Sequence, residues 1–103
     1  MMIFETLADA SRRRILELLR AGERPVGVLV GELGLSQPAV SRHLRVLREA
    51  GLVEARVDAQ RRIYRLRADT LRELDAWLEP YRLLWSGRLD DLEHHVNQME
   101  ETR

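Results

Sequence analysis

The stretch from Ser36 to Val53, SQPAVSRHLRVLREAGLV, limits the fold more than any other part of the chain. It reads as one helix with both ends marked and two unlike faces. Ser36 offers an oxygen to the free amides of a first turn, Pro38 sits where a missing N–H costs little, and Gly51 stands where a helix terminates. At about 100° per residue, Val40, Leu44, Leu47 and Gly51 share one stripe. Ser41, Arg42, Arg45 and Pro38 cluster roughly opposite, flanked by Gln37 and Arg48. One face packs and the other is presented. His43 lies at the border between them, the place of a packing and hydrogen-bonding histidine.

The segments before this helix are short and helical. Ile3-Phe4-Glu5-Thr6-Leu7-Ala8 is an apolar helix, and Asp9 caps a second one running to Arg20, with Ile15, Leu18 and Leu19 on its inner stripe and Gly22 at its end. Arg24-Pro25 opens a third, Val26 to Leu33, whose Leu29 and Leu33 are spaced for a core while Gly27 and Gly31 weaken it in isolation. Gly34-Leu35-Ser36 is then a tight link, giving helix–turn–helix.

After Gly51 the period becomes two. Val53, Ala55 and Val57 alternate with Glu54 and Arg56, and Tyr64 and Leu66 flank Arg65, which predicts a β-hairpin. Pairing Val57 with Arg62 sets Ala55 opposite Tyr64, Val53 opposite Leu66 and Glu54 opposite Arg65. The tip, Asp58-Ala59-Gln60-Arg61, lacks the Gly or Asn of a tight primed turn, so a looser four-residue loop is expected. Thr70-Leu71-Arg72-Glu73 has the form of a capping box for a last helix. In that helix Leu71, Leu74, Leu78, Tyr81, Trp85, Leu89, Leu92, Val96 and Met99 recur at spacings of three and four. Pro80 and Ser86-Gly87 predict a kink or break within 76–87. The stripe exceeds what a small domain can cover, so part of it, including Leu78, Trp85, Leu89, Leu92 and Val96, is expected to meet a second copy. The element order is ααααββα, mainly α (α+β), in a single domain over 1–103 whose residues 68–103 are a helical dimerisation segment.

Charge is segregated although the formal net charge is zero. Residues 36–67 hold eight arginines and three acids, net +5, and residues 68–103 hold four arginines and nine acids, net −5. All 17 basic residues are arginine, a side chain suited to bidentate contacts with phosphate and guanine, although GC-rich codon usage is the favoured account of the absence of lysine. The basic segment coincides with the presented helix face and the hairpin. Groove contact is therefore expected of Gln37, Ser41, Arg42 and Arg45: amide to adenine, guanidinium to guanine or phosphate, hydroxyl to phosphate or base edge. Arg61 and Arg62 are expected to grip phosphates from the hairpin, and of Arg12, Arg13 and Arg14 at most one or two reach a backbone, Arg12 being the candidate.

Several classes are set aside. Without cysteine there are no disulfides, thiolate nucleophiles or thiolate metal sites. No apolar run approaches the ~18 residues of a membrane span, and the start lacks a secretory pattern, so a cytoplasmic protein without a membrane partner is expected. There is no phosphate-binding glycine loop or activated nucleophile, so no catalytic residue and no cofactor are expected. Asp90, Asp91, Glu93, His94, His95 and Gln98 form the one cluster with metal-binding potential, and Asp90/His94 and Asp91/His95 are i,i+4 pairs. A solvated helix face with mild ion pairing is the favoured account of that cluster, and no metal site is expected. The rival functions are a metal-responsive repressor using this cluster and a winged helix serving as a protein-interaction module. The second has no need to concentrate arginine on helix and hairpin.

The motifs Asp9-Ala10-Ser11-Arg12-Arg13-Arg14-Ile15-Leu16, Ser36 to Leu44, Glu49-Ala50-Gly51-Leu52-Val53 and Arg61-Arg62-Ile63-Tyr64-Arg65-Leu66 resemble the ArsR-type bacterial winged-helix repressors. The resemblance covers essentially residues 1–67. It implies a winged helix–turn–helix fold and a homodimer joined through the first and last helices, which brings in Phe4 and Leu7 beside the last-helix stripe. It further implies that the recognition helices, with Ser36, Gln37 and Pro38 at their start, lie in successive major grooves of operator DNA, that the wings lie along the flanking backbone, and that a promoter, often the protein's own, is repressed. Two departures stand out. The third-helix cysteines of arsenic- and cadmium-sensing members fall near Pro25 and Gly27 here, and the wing tip carries Asp58-Ala59 in place of Asp-Gly or Asn-Gly.

Overall fold

A computed structural model describes the backbone of residues 2–101 and the side chains of residues 2–87. Its order is α1 (Met2–Leu7), α2 (Ala10–Arg20), β1 (Arg24–Pro25), α3 (Val26–Leu33), α4 (Gln37–Glu49), β2 (Val53–Asp58), β3 (Arg61–Leu66) and α5 (Ala68–Glu101). Contacts divide the chain between Arg72 and Glu73 into a winged-helix unit and a second unit formed by the remainder of α5.

The buried residues of the first unit follow the predicted stripes. Ile15 and Leu19 of α2, Leu29 of α3, and Val40, Leu44 and Leu47 of α4 are buried, joined by Ile3, Leu52, Val53, Ile63 and Tyr64. Leu18 and Leu33, expected inside, are half-buried at the margin. The hairpin register is the expected one, with Val53 opposite Leu66, Glu54 opposite Arg65, Ala55 opposite Tyr64 and Val57 opposite Arg62.

Several expectations are corrected. The sheet has a third strand, β1, whose Arg24 and Pro25 pair with Tyr64 and Ile63. β1 covers β3 at that point, and Ile63 is buried along with its neighbour Tyr64, which breaks simple alternation. The tip is a two-residue connection: Asp58 pairs with Arg61, and Ala59 takes a φ of +58°. The buried pairs at the base of the hairpin fix the register, and alanine then accepts a left-handed conformation that costs an L-residue roughly 1–2 kcal/mol. Finally, α5 starts at Ala68, and Thr70 lies inside its first turn without capping it. The Thr70 hydroxyl instead donates to the Gly51 carbonyl oxygen at 2.8 Å.

No break interrupts α5 within 76–87; the helix runs through Pro80. Pro80 leaves the ladder one N–H short, and the Arg82 guanidinium donates to the Asp75 carbonyl oxygen at 2.6 Å in the turn before it. Among the described residues no helix is long and apolar enough to cross a membrane.

Asp9 caps α2 as expected, accepting from the Arg12 amide at 3.1 Å. That bond, ahead of the nearby His43 and Arg12 charges, holds the Asp9 carboxyl below its ordinary 3.8, against a smaller opposing effect of burial. Asp9→Ala should cost about 0.5–2 kcal/mol at neutral pH. Because the folded-state pKa is lowered, the ionised cap contributes fully above pH 3.8, and its contribution is lost as pH falls through the lowered value. Urea unfolding of both proteins should show the gap narrowing only in that acid range.

Candidate nucleic-acid interface

The presented face of α4 is set by its two ends and its buried stripe. At the start the Ser36 hydroxyl accepts from the Ala39 amide at 3.3 Å, and Pro38 occupies the first turn. At the end Gly51 donates to the Arg48 carbonyl and Leu52 to the Leu47 carbonyl, both at 3.0 Å, with Gly51 at φ +76°. A Cβ on Gly51 would stand 2.8 Å from the Thr70 hydroxyl oxygen, so the close approach of α5 also requires glycine. The three-residue link from α3 turns on Gly34 at φ +66°, whose amide donates to the Val30 carbonyl.

With Val40, Leu44 and Leu47 fully buried, Gln37, Pro38, Ser41, Arg42, Arg45 and Arg48 remain exposed and line one side of a cleft of about 970 Å³. Gln60, Arg61 and Arg62 of the hairpin line another, and Pro25, Val26, Gly27, Val28 and Tyr64 complete it. Five arginines and no acid line this cleft. Among the described residues the guanidinium groups of Arg42, Arg45, Arg48 and Arg62 have no hydrogen-bond or ion-pair partner.

Several arginines outside the cleft are engaged, although among the described residues Arg20 and Arg72 have no partner. Arg65 pairs with Glu54 at 2.6 Å across the hairpin, Arg56 with Glu23 at 2.8 Å, and Arg67 with Asp69 at 3.2 Å. The side-chain hydrogen bonds from Arg56 hold the Glu23 carboxyl below its ordinary value and reciprocally raise that of Arg56. Among the described residues Arg61 is the cleft arginine that has an ion pair, with Asp58 at 3.4 Å.

Of the residues expected at DNA, Gln37, Pro38, Ser41, Arg42, Arg45, Arg61 and Arg62 are brought together. Ser36 caps the helix beside them. Arg12 is placed elsewhere. Its Nε donates to the Thr6 carbonyl at 2.8 Å and its Nη2 to the Glu5 carbonyl at 3.3 Å, while Arg13 serves the Leu7 and Ala8 carbonyls. These two side chains satisfy the free carbonyls at the end of α1, a use that adjacent arginines do not reveal in sequence. Gln60 and Val28 are additions to the site. An exposed apolar Val28 beside Gly27 carried a weak signal, and Gln60 became visible only once the turn was known.

Phe4 is exposed and Leu7 half-buried on α1. Within the second unit Trp77, Leu78, Tyr81, Leu84 and Trp85 line an apolar groove of about 400 Å³, with the Trp77 and Tyr81 rings 5.0 Å apart. Leu89, Leu92 and Val96, and the cluster of Asp90, Asp91, Glu93, His94, His95 and Gln98, lie outside the described side chains. Among the described residues no three His, Asp or Glu stand close enough to hold a metal.

The profile of the arsR family of bacterial regulatory proteins matches residues 9–55. The HTH-type transcriptional regulator Rv2034 of Mycobacterium tuberculosis is 48% identical over 63 residues, 61% of this chain and 59% of that protein. The chain thus spans about three fifths of the length of this relative and of others like it. The transcriptional repressor SdpR of Bacillus subtilis is 29% identical over 76 residues, 74% of this chain and 84% of that protein. The solution structure of the homodimeric winged helix–turn–helix DNA-binding domain of Mb0332 from Mycobacterium bovis, described as a possible ArsR-family transcriptional regulator, is 34% identical. It covers 79% of this chain and 75% of its own, with a TM-score of 0.65. With the helix–turn–helix, the hairpin and the long last helix all in place, the chain belongs to the ArsR family of bacterial regulatory proteins.

Proposed function

We propose that the chain is a homodimeric transcriptional repressor that binds an inverted-repeat operator in double-stranded DNA through the α4 face and the hairpin wing. The observation that carries this reading is the cleft, where four guanidinium groups without partners among the described residues line the same surface as Gln37 and Ser41. Guanidiniums left unpaired beside one another repel, and a polyanion relieves that repulsion while releasing its counterions. Gln37, Ser41, Arg42 and Arg45 read base edges and phosphates; Ser36 and Pro38 set the entry of the helix into the groove; Arg61 and Arg62 hold the flanking backbone. Arg12 enters only at the margin, its guanidinium being committed to α1.

The chain acts as one functional domain over 1–103, in the cytoplasm with the DNA, without catalytic chemistry or cofactor. Phe4, Leu7, Leu78, Trp85, Leu89, Leu92 and Val96 are assigned to the dimer interface. Support comes from the exposed aromatic groove on α5 and from the homodimeric state of the Mb0332 domain.

Selection of bound fragments from randomised DNA at fixed salt, followed by footprinting, tests the reading directly. It should return an imperfect inverted repeat with half-sites about one helical turn, ~34 Å, or a multiple apart. Gln37→Ala should cost about 1–3 kcal/mol and relax preference at one base pair per half-site. A single unsymmetrical site, or no specific site, would overturn it.

The wing and the dimer are tested separately. Arg61→Ala with Arg62→Ala should weaken binding to specific and random DNA alike, and flatten the slope of log K against log salt by about 1 to 2 per wing, as titrations at several salt concentrations would measure. Trp85 is 45% exposed in the single chain, so Trp85→Glu should leave the winged-helix unit folded by circular dichroism. In the dimer it would desolvate an unpaired carboxylate, so sedimentation should show monomers, and operator affinity should fall through lost bivalency.

A further inference from the structure

We infer that Asp58 is an electrostatic brake on the wing: it holds Arg61 in an internal ion pair that a DNA phosphate must displace, and so lowers affinity for DNA of any sequence. The inference rests on the DNA-binding reading above and adds a residue that opposes it.

Asp58 and Arg61 are the last paired residues of the hairpin, separated only by Ala59 and Gln60. The register therefore sets a carboxylate beside one of the five cleft arginines, with Oδ2 3.4 Å from Nη2. Among the described residues no other cleft arginine has such a partner. The Asp58 and Arg61 side chains are 50% and 62% exposed, and an ion pair so open to water adds little to hairpin stability. The neighbouring pairs Arg65–Glu54 and Arg56–Glu23 neutralise arginines outside the cleft. Asp58 is thus the acid placed to act on the binding surface itself. A phosphate approaching Arg61 must share or take over its N–H donors and must tolerate the displaced carboxylate nearby. Arg61 accordingly contributes less to binding than Arg62, which has no ion-pair partner among the described residues.

The experiment measures binding of a random-sequence duplex by the full chain at several salt concentrations, for the unsubstituted protein, Asp58→Asn, Arg61→Ala and the double variant. Asparagine keeps the size of the side chain and removes its charge. Asp58→Asn should bind about threefold tighter per wing, the scale of one like-charge repulsion across several ångströms of water, and about tenfold tighter where a dimer applies two wings. The slope of log K against log salt should steepen by up to about 1 per wing as Arg61 becomes free to neutralise a phosphate. In the Arg61→Ala background the gain should largely disappear, which marks an effect exerted through Arg61. Unchanged or weaker binding by Asp58→Asn, or an equal gain with and without Arg61, overturns the brake while leaving the DNA-binding reading intact. Failure of the unsubstituted chain to bind duplex DNA at low salt removes both.

Discussion

Burial of Val40, Leu44 and Leu47 is the constraint on which the rest of the winged-helix unit depends. Each buried aliphatic side chain contributes about 1.5–3 kcal/mol, so the three together strongly resist rotation of α4 about its axis. A shift of one residue would turn the helix by about 100° and carry arginine toward the core. The same packing that holds α4 against α2 and α3 therefore decides which side chains face the cleft. Because the helix also ends in a glycine that the Thr70 hydroxyl closes over, its position along the axis is fixed as well as its rotation.

Much of this was legible in the sequence because it rests on local rules. The Ser36 and Asp9 caps, the helical stripe and the hairpin register each follow from side chains within a few residues of one another. What escaped depends on parts of the chain far apart. β1 is two residues long and becomes a strand only because β3 passes beside it. The turn at Ala59 is tight because the base of the hairpin holds the register, against the local preference of alanine. Thr70 matched a capping box by type and spacing, but its hydroxyl found the carbonyl left by Gly51, nineteen residues earlier in sequence.

The site divides in the same way. The arginines of the presented helix face could be named from periodicity, since only one rotation of α4 buries its aliphatic residues. Arg12 could not be separated from its neighbours, because its partners are the carbonyls at the end of α1, and those become acceptors only after α1 stops at Leu7. Gln60 and Val28 joined the cleft through the tight turn and the placement of α3.

A chain with no net charge can still present a strongly cationic surface if its acids are spent elsewhere, and this one spends them by position. Glu54, Glu23 and Asp69 bind arginines that do not line the cleft, so their charges cancel where cancellation has no effect on the cleft. The nine acids of residues 68–103 all lie in α5, which follows the recognition helix and wing in sequence. Charges more than about 10 Å apart are largely screened from one another at ordinary salt, so an approaching polyanion responds to the surface nearest it more than to the total. The balance of the whole chain then governs solubility and stray attraction to nucleic acid, while the local excess at the cleft governs binding. In that partition a single carboxylate beside a cleft arginine has more influence on affinity than several at a distance, and Asp58 occupies that position.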